Sequence, residues 1–158
     1  MVFRKEHDLL GEMEFVAVAD MVKAAAATLL KISADLRLLS SGPRAGLSEI
    51  SLPQMQAGST IMPGKVNPVM PELVSQVAYQ VIAQDLTVTL AAQAGQLELN
   101  ASLPLVAANL LPAMETLAAS IRLLTERGIV GIKANSELCM QNVLNNTSIL
   151  TVLAPPYR

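Results

Sequence analysis

Glu14-Phe-Val-Ala-Val-Ala-Asp-Met-Val-Lys-Ala-Ala-Ala-Ala-Thr-Leu-Leu-Lys-Ile-Ser-Ala-Asp-Leu-Arg-Leu-Leu-Ser40 decides the fold class. Phe15, Val18, Val22, Ala25, Leu29, Ile32, Leu36 and Leu39 recur with helical periodicity, and Lys23, Lys31, Asp35 and Arg37 are interspersed. The spacing predicts one long helix. Ala24 to Ala27 put small, strongly helix-forming residues on nearly all sides, so neighbouring helices can approach closely and more than one face is expected to be buried. Ser40-Ser-Gly-Pro-Arg44 and Gly46 then end the helix, because Gly and Pro interrupt the hydrogen-bond ladder and Ser competes for the backbone.

Working outward, Pro43, Gly46, Pro53, Gly58, Pro63, Gly64 and Pro68 leave no room for a regular helix between 42 and 68. A loop of that length in a helical protein is a connector, a lid or a binding loop. Helix is expected to resume near Pro68 or Pro71, with Glu72 suited to a helix N-terminus, and to run to about Ala94. Gly95-Gln-Leu-Glu-Leu-Asn100 interrupts. Ser102 is expected to cap a further long helix that carries Pro104 in its first turn, is kinked by Pro112, and stops at Gly128 near Arg127. A shorter helix covers about Ser136 to Leu144. Val81, Thr87, Val88 and Thr89 lack alternating polarity, so no strand is expected there. The fold class is all-α, a bundle of long helices.

Of the 158 residues, 52% are hydrophobic and 15% charged, too little polar side chain to cover a body this small, so burial against other chains is expected. The net charge of −2, without a basic cluster, argues against nucleic acid. Asp85, Glu98 and the later prolines and asparagines break the apolar stretches short of membrane-spanning length, and Met1 to Asp8 is charged where an export signal would be apolar, so a soluble, cytoplasmic protein is expected. Cys139 is the single cysteine and His7 the single histidine. The single cysteine excludes an intrachain disulfide and a multi-cysteine metal site, and His7, in a charged terminal segment, has no partner cluster for a metal or a Ser-His-Asp triad. Cys139 reads as a buried thiol, His7 as a solvated side chain, and no metal site is expected.

The stretch that carries chemistry is Gly58-Ser-Thr-Ile-Met-Pro-Gly-Lys-Val-Asn-Pro68. Gly58 and Gly64 can serve as hinges, Ser59 and Thr60 offer hydroxyls, and Lys65 and Asn67 offer an ammonium and an amide close to a helix N-terminus, a combination suited to an anion. The same residues also suit a plain turn in which the hydroxyls bond locally and Lys65 is solvated.

The segment matches the Gly-Ser-x-x-Met-x-x-Lys-x-Asn signature of the aspartase/fumarase superfamily at every fixed position. Asp35 to Leu47, Glu49-Ile-Ser-Leu-Pro53, Gly95 to Asn100 and Gly131-Ile-Lys-Ala-Asn135 resemble the family's sequence before and after that loop, and His7-Asp-Leu-Leu-Gly-Glu12 resembles its opening. Pro63-Gly-Lys-Val-Asn-Pro68 resembles the fumarase and aspartase branches, and Pro43-Arg-Ala-Gly-Leu47 with Ala94 to Leu99 tilts toward aspartase. The resemblance implies residues 1–13 as an opening segment and 14–158 as a central helical domain. It further implies a homotetramer and reversible conversion of L-aspartate to fumarate and ammonia without a redox cofactor. Ser59 would be the base, Thr60, Lys65 and Asn67 would bind substrate, and Gly58 and Gly64 would flank the mobile part.

The resemblance also implies active sites assembled from segments of three subunits, and only one of those segments is recognisable. The family's Thr-His segment has no counterpart, since His7 follows Glu6. Glu14 onward resembles the family's late central region, so most of its N-terminal half is expected to be missing. Leu153 to Arg158 falls where relatives continue into a small C-terminal domain. Two further readings therefore stand beside an ammonia-lyase: a non-catalytic bundle module, and fumarate hydration.

Overall fold

The computed structural model describes residues 6–8, 11–97 and 99–150. The readings made for Met1 to Lys5, for Leu153 to Arg158 and for the His7 side chain lie outside it. Four helices dominate: α1 (Phe15–Leu39), α2 (Val69–Gln93), α3 (Leu103–Leu124) and α4 (Ser136–Leu144). The all-α class holds. Two short antiparallel strand pairs, absent from the sequence reading, join them. β1 (Glu6–Asp8) pairs with β2 (Gly11–Met13), and β3 (Ile50–Ser51) with β4 (Lys133–Ala134). Strands of two or three residues are too short to carry an alternating pattern, which is why periodicity did not reveal them.

The core follows from spacing. Buried positions fall at Ala19, Ala26 and Ser33 on α1, at Pro71, Val74, Ala78, Val81, Asp85, Val88 and Ala92 on α2, and at Val106, Leu110, Ala113, Leu117, Ser120 and Leu124 on α3. These fall at alternating steps of three and four on α3 and, apart from the further buried positions Ser75 and Ala91, on α2, and at steps of seven on α1, as in coiled-coil packing. Ala19 clusters with Val88, Ala91, Val106 and Leu110, while Ala26 clusters with Ala78, Val81, Ala113 and Leu117. That order makes α1, α2 and α3 successively antiparallel, with α2 in the middle, and the alanines at the crossing points let the backbones approach.

Local chemistry sets the helix ends. Ser40 and Ser41 donate their hydroxyls to Arg37 O and Leu38 O, so side chains absorb the last carbonyls of α1. Ser102 stands before α3 without a side-chain cap bond. Asn100 replaces it: its Oδ1 accepts the Ser102 N–H at 2.8 Å and its Nδ2 donates to Ala91 O at 3.1 Å, which ties the end of α2 to the start of α3. Gly128 does not stop the helix. The chain stays helical through a π turn, Thr125–Ile129, and leaves it at Val130, followed by Gly131 at φ +97°.

The expectation that apolar stretches stay below membrane-spanning length needs correction at one place. Leu103–Ile129 is long and apolar enough to cross a membrane by length and composition. Pro112 lies inside α3 without ending it, and Asn109 returns its amide to Leu105 O instead of breaking the helix. A bundle helix packed along one seam meets the same criterion. Beyond that seam α3 exposes Leu105, Leu111, Met114 and Ile121, and α2 exposes Tyr79, Leu86 and Leu90.

Among the described residues one ion pair joins α1 to α2. Lys23 Nζ donates to Asp20 Oδ1 and to Asp85 Oδ2, each at 2.7 Å; Asp85 is only 8% exposed, and its Oδ1 is buried without a partner. The hydrogen bonds to Asp20 and then Asp85 hold the Lys23 ammonium above the ordinary lysine value of 10.5, against the opposing effect of burial. Removing the cation strands a buried carboxylate, so Lys23→Met is expected to cost about 1–2 kcal/mol, the usual buried-pair figure reduced because Lys23 is partly solvated. Asp85→Leu, which removes the buried charge, is expected to be no less stable than the parent. Because the folded pKa is raised, the pair stabilises fully below pH 10.5 and is lost as pH climbs through the raised value. Urea midpoints below and above pH 10.5, for parent and both variants, check this.

Candidate active site

The loop between α1 and α2 is held at both ends. On its first leg, Ile50 pairs with Ala134 and Ser51 with Lys133. Around Glu49, the Asn135 N–H donates to the carbonyl at 2.8 Å, Cys139 Sγ reaches the same oxygen at 3.5 Å, and Asn142 Nδ2 donates to the carboxylate at 2.9 Å. Cys139 is thus half-buried rather than buried. On the second leg the chain enters α2 directly after Pro68.

The tip closes on itself. The Gly58 N–H donates to Lys65 O at 3.1 Å, and Asn67 Nδ2 donates to Gly58 O at 3.2 Å. Gly58 is required here by close approach, because a Cβ would lie 2.2 Å from Lys65 O. Gly64 turns the tip at φ +76° with open space around it. Inside this ring, Ser59 Oγ accepts two backbone N–H groups, from Ile61 and from Met62, each at 3.1 Å. Ser59, Lys65 and Asn67 therefore belong to one hydrogen-bonded ring. Thr60 and Lys65 are exposed, as is Ile61 at 86%.

Two backbone donors aimed at one hydroxyl oxygen favour its anion over its neutral form, since they stabilise negative charge without reorganising. They leave the serine proton to point elsewhere. The α2 N-terminus contributes less than its position suggests: Pro71 has no N–H, the Val69 N–H donates to Asn67 O, and the Glu72 N–H donates to Pro68 O. The donors on Ser59 come from within the loop, at Ile61 and Met62. Two cavities elsewhere, one lined by Asp85, Val88 and Asn109 and one by Glu49, Asn142 and Asn146, include no residue of the tip.

The chain is similar to known proteins. A family model described as lyase matches residues 6–83. The aspartate ammonia-lyases of Helicobacter pylori and Corynebacterium glutamicum are each 51% identical over 141 residues, or 89% of this chain, and that of Escherichia coli K12 is 50% identical over the same length. By these likenesses the chain resembles the aspartase/fumarase superfamily of lyases. It spans 30% of the Helicobacter enzyme and 27% of the Corynebacterium enzyme. Solved structures agree: a fumarate lyase from Brucella melitensis superposes with a TM-score of 0.86 at 52% identity, covering 90% of this chain and 31% of that one. The class II fumarase of Schistosoma mansoni gives a TM-score of 0.87 at 39% identity, covering 90% of this chain and 30% of that one. Within the superfamily the chain resembles carbon–nitrogen lyases, and its helices form the long bundle expected of that fold.

Proposed function

We propose that the chain is a subunit of an aspartate ammonia-lyase-type enzyme, with the loop at 58–68 as its catalytic loop. The observation that carries this reading is the pair of backbone N–H donors on Ser59 Oγ. As an alkoxide, Ser59 takes a proton from the substrate carbon next to one carboxylate. The electron pair moves into that carboxylate, giving an aci-carboxylate dianion; as the carboxylate is restored, the pair forms the double bond between the two central carbons and the C–N bond breaks, releasing ammonia. The products are fumarate and ammonia, with no net oxidation and no redox cofactor. Lys65 meets the carboxylate by charge, Asn67 through the amide N–H left over from its bond to Gly58 O, and Thr60 adds a hydroxyl. Gly58 and Gly64 mark the ends of the part that moves. The exposed stripes on α2 and α3 fit further helices of identical subunits, and bacterial relatives that are aspartate ammonia-lyases support a cytoplasmic setting.

The test is fumarate production from L-aspartate, with L-malate in parallel, on protein whose assembly state is established by light scattering. Fumarate from aspartate supports the proposal. Turnover of malate alone selects the hydratase reading, which the likeness to the Schistosoma fumarase supports. No turnover of either by a soluble oligomer selects a non-catalytic bundle module, a reading favoured by the exposed apolar stripes on α2 and α3. Lys65→Met is expected to lower kcat/KM roughly 30-fold, the size of one charge-assisted contact, and steady-state kinetics check it.

A further inference from the structure

Heptad spacing along α3 places Ser120 and then Leu124 on the α2-facing seam, and continuing it would bring Arg127 there next. The π turn at Thr125–Ile129 adds a residue, so Gly128 is buried in that place and Arg127 faces out. At this point the packing is tight enough that a side chain would force its neighbours to give by a few tenths of an ångström. A Cβ on Gly128 would lie 3.1 Å from Met70 Cβ and 3.0 Å from Leu124 Cδ1. Met70 is the second residue of α2, three positions beyond Asn67. Within a few residues the same segment reaches the other leg of the loop. Gly131 turns at φ +97° against Pro53, β4 pairs with β3, and Asn135 donates its N–H to Glu49 O and its Nδ2 to Ser48 O at 3.4 Å.

We infer that the segment from Thr125 to Asn135 is a brace joining the two legs of the loop, and that Gly128 is a positioning residue setting the distance between them. The brace stands on the contacts alone; its consequence for catalysis rests on the function proposed above. Met70 would meet a Cβ at Gly128 through its own Cβ, which is rigid with the helix backbone, so the displacement passes to Pro68 and Asn67 and opens the ring in which Ser59 sits.

Gly128→Ala tests this in the full chain. Hydrogen exchange resolved to single amides is expected to accelerate about tenfold at Gly58, Ile61 and Met62, while Val81 and Val88 in the middle of α2 stay within twofold of the parent. Unchanged exchange at the three loop amides overturns the brace, as does acceleration shared equally by Val81 and Val88, which would mark a general loss of packing. A second variant guards against a failure to fold. Gly128→Ala combined with Met70→Gly removes the opposing Cβ and is expected to restore parental loop exchange; failure of this rescue in a folded double variant also overturns the brace. If the parent makes fumarate, Gly128→Ala is expected to lower kcat about tenfold with KM little changed, because a few tenths of an ångström are moved at the base. Altered exchange in a parent without turnover would support the brace and reject the catalytic reading.

Discussion

Ser59→Ala is expected to lower fumarate formation at least about 10³-fold while leaving the helical circular dichroism of the chain unchanged. The side chain lies in the loop, outside both core clusters, and its hydroxyl supports only two local backbone donors, from Ile61 and Met62. Deleting it removes the only atom in the ring on which those donors converge and strands two N–H groups that solvent can reach, so stability should change little. Rate should change greatly, because Ser59 Oγ is the atom on which the Ile61 and Met62 donors converge, and Thr60, exposed beside it, does not receive either of them. Ser59→Cys separates base strength from mere contact. A thiolate forms more readily than an alkoxide but is bulkier, and N–H groups spaced for oxygen at 3.1 Å suit sulfur poorly, so partial activity with a lower pH optimum is expected. Retained activity in Ser59→Ala would assign proton removal elsewhere and reduce Ser59 to a turn residue. Initial rates from L-aspartate, beside far-ultraviolet dichroism, decide between these outcomes.

How much of this was legible in the sequence follows the range of the interaction. The helices were legible because each buries one seam, and a seam repeats in the sequence: α1 from Phe15, α2 up to Gln93 and α4 from Ser136 to Leu144 fall where periodicity and the Gly and Pro positions put them. The loop was legible as a loop for the same reason, and the family signature singled out within it the residues proposed above as a site. Interactions without a period were not. The ring from Gly58 to Lys65 depends on backbone dihedrals in an irregular segment. The Lys23–Asp85 pair joins residues 62 positions apart, and along the chain Asp85 reads merely as an interruption of an apolar run. The π turn shifts the seam by one residue, which is invisible until Gly128 is seen against Met70. Asn100 took the capping role expected of Ser102 because its two-ended amide can hold α2 and α3 at once, whereas a hydroxyl at position 102 reaches one of them.

Gly58→Ala is expected to reduce turnover by more than about 10²-fold, and Gly64→Ala by far less, although both positions are glycines of the same loop. At Gly58 the obstacle is space. A Cβ would sit 2.2 Å from Lys65 O, and that oxygen belongs to the peptide whose carbonyl accepts the Gly58 N–H, so it cannot withdraw without breaking the ring. Relief to ordinary contact requires a movement of more than about 1 Å, which also separates Gly58 O from the Asn67 amide and pulls Ser59, the next residue, away from its alignment with the Ile61 and Met62 donors. Base, amide and ammonium are thereby displaced together. At Gly64 the obstacle is only conformational. The φ of +76° costs alanine about 1 kcal/mol, with nothing within 4 Å to collide with, and the tip is already exposed. The two variants therefore separate two views of the loop. If glycine at 58 and 64 matters only as a flexible hinge, both substitutions should slow the reaction alike, by stiffening it. If Gly58 matters as the point where the ring closes, the effects should differ by at least about tenfold, and the Gly58→Ala protein should show faster amide exchange at Ile61 and Met62 while Gly64→Ala does not.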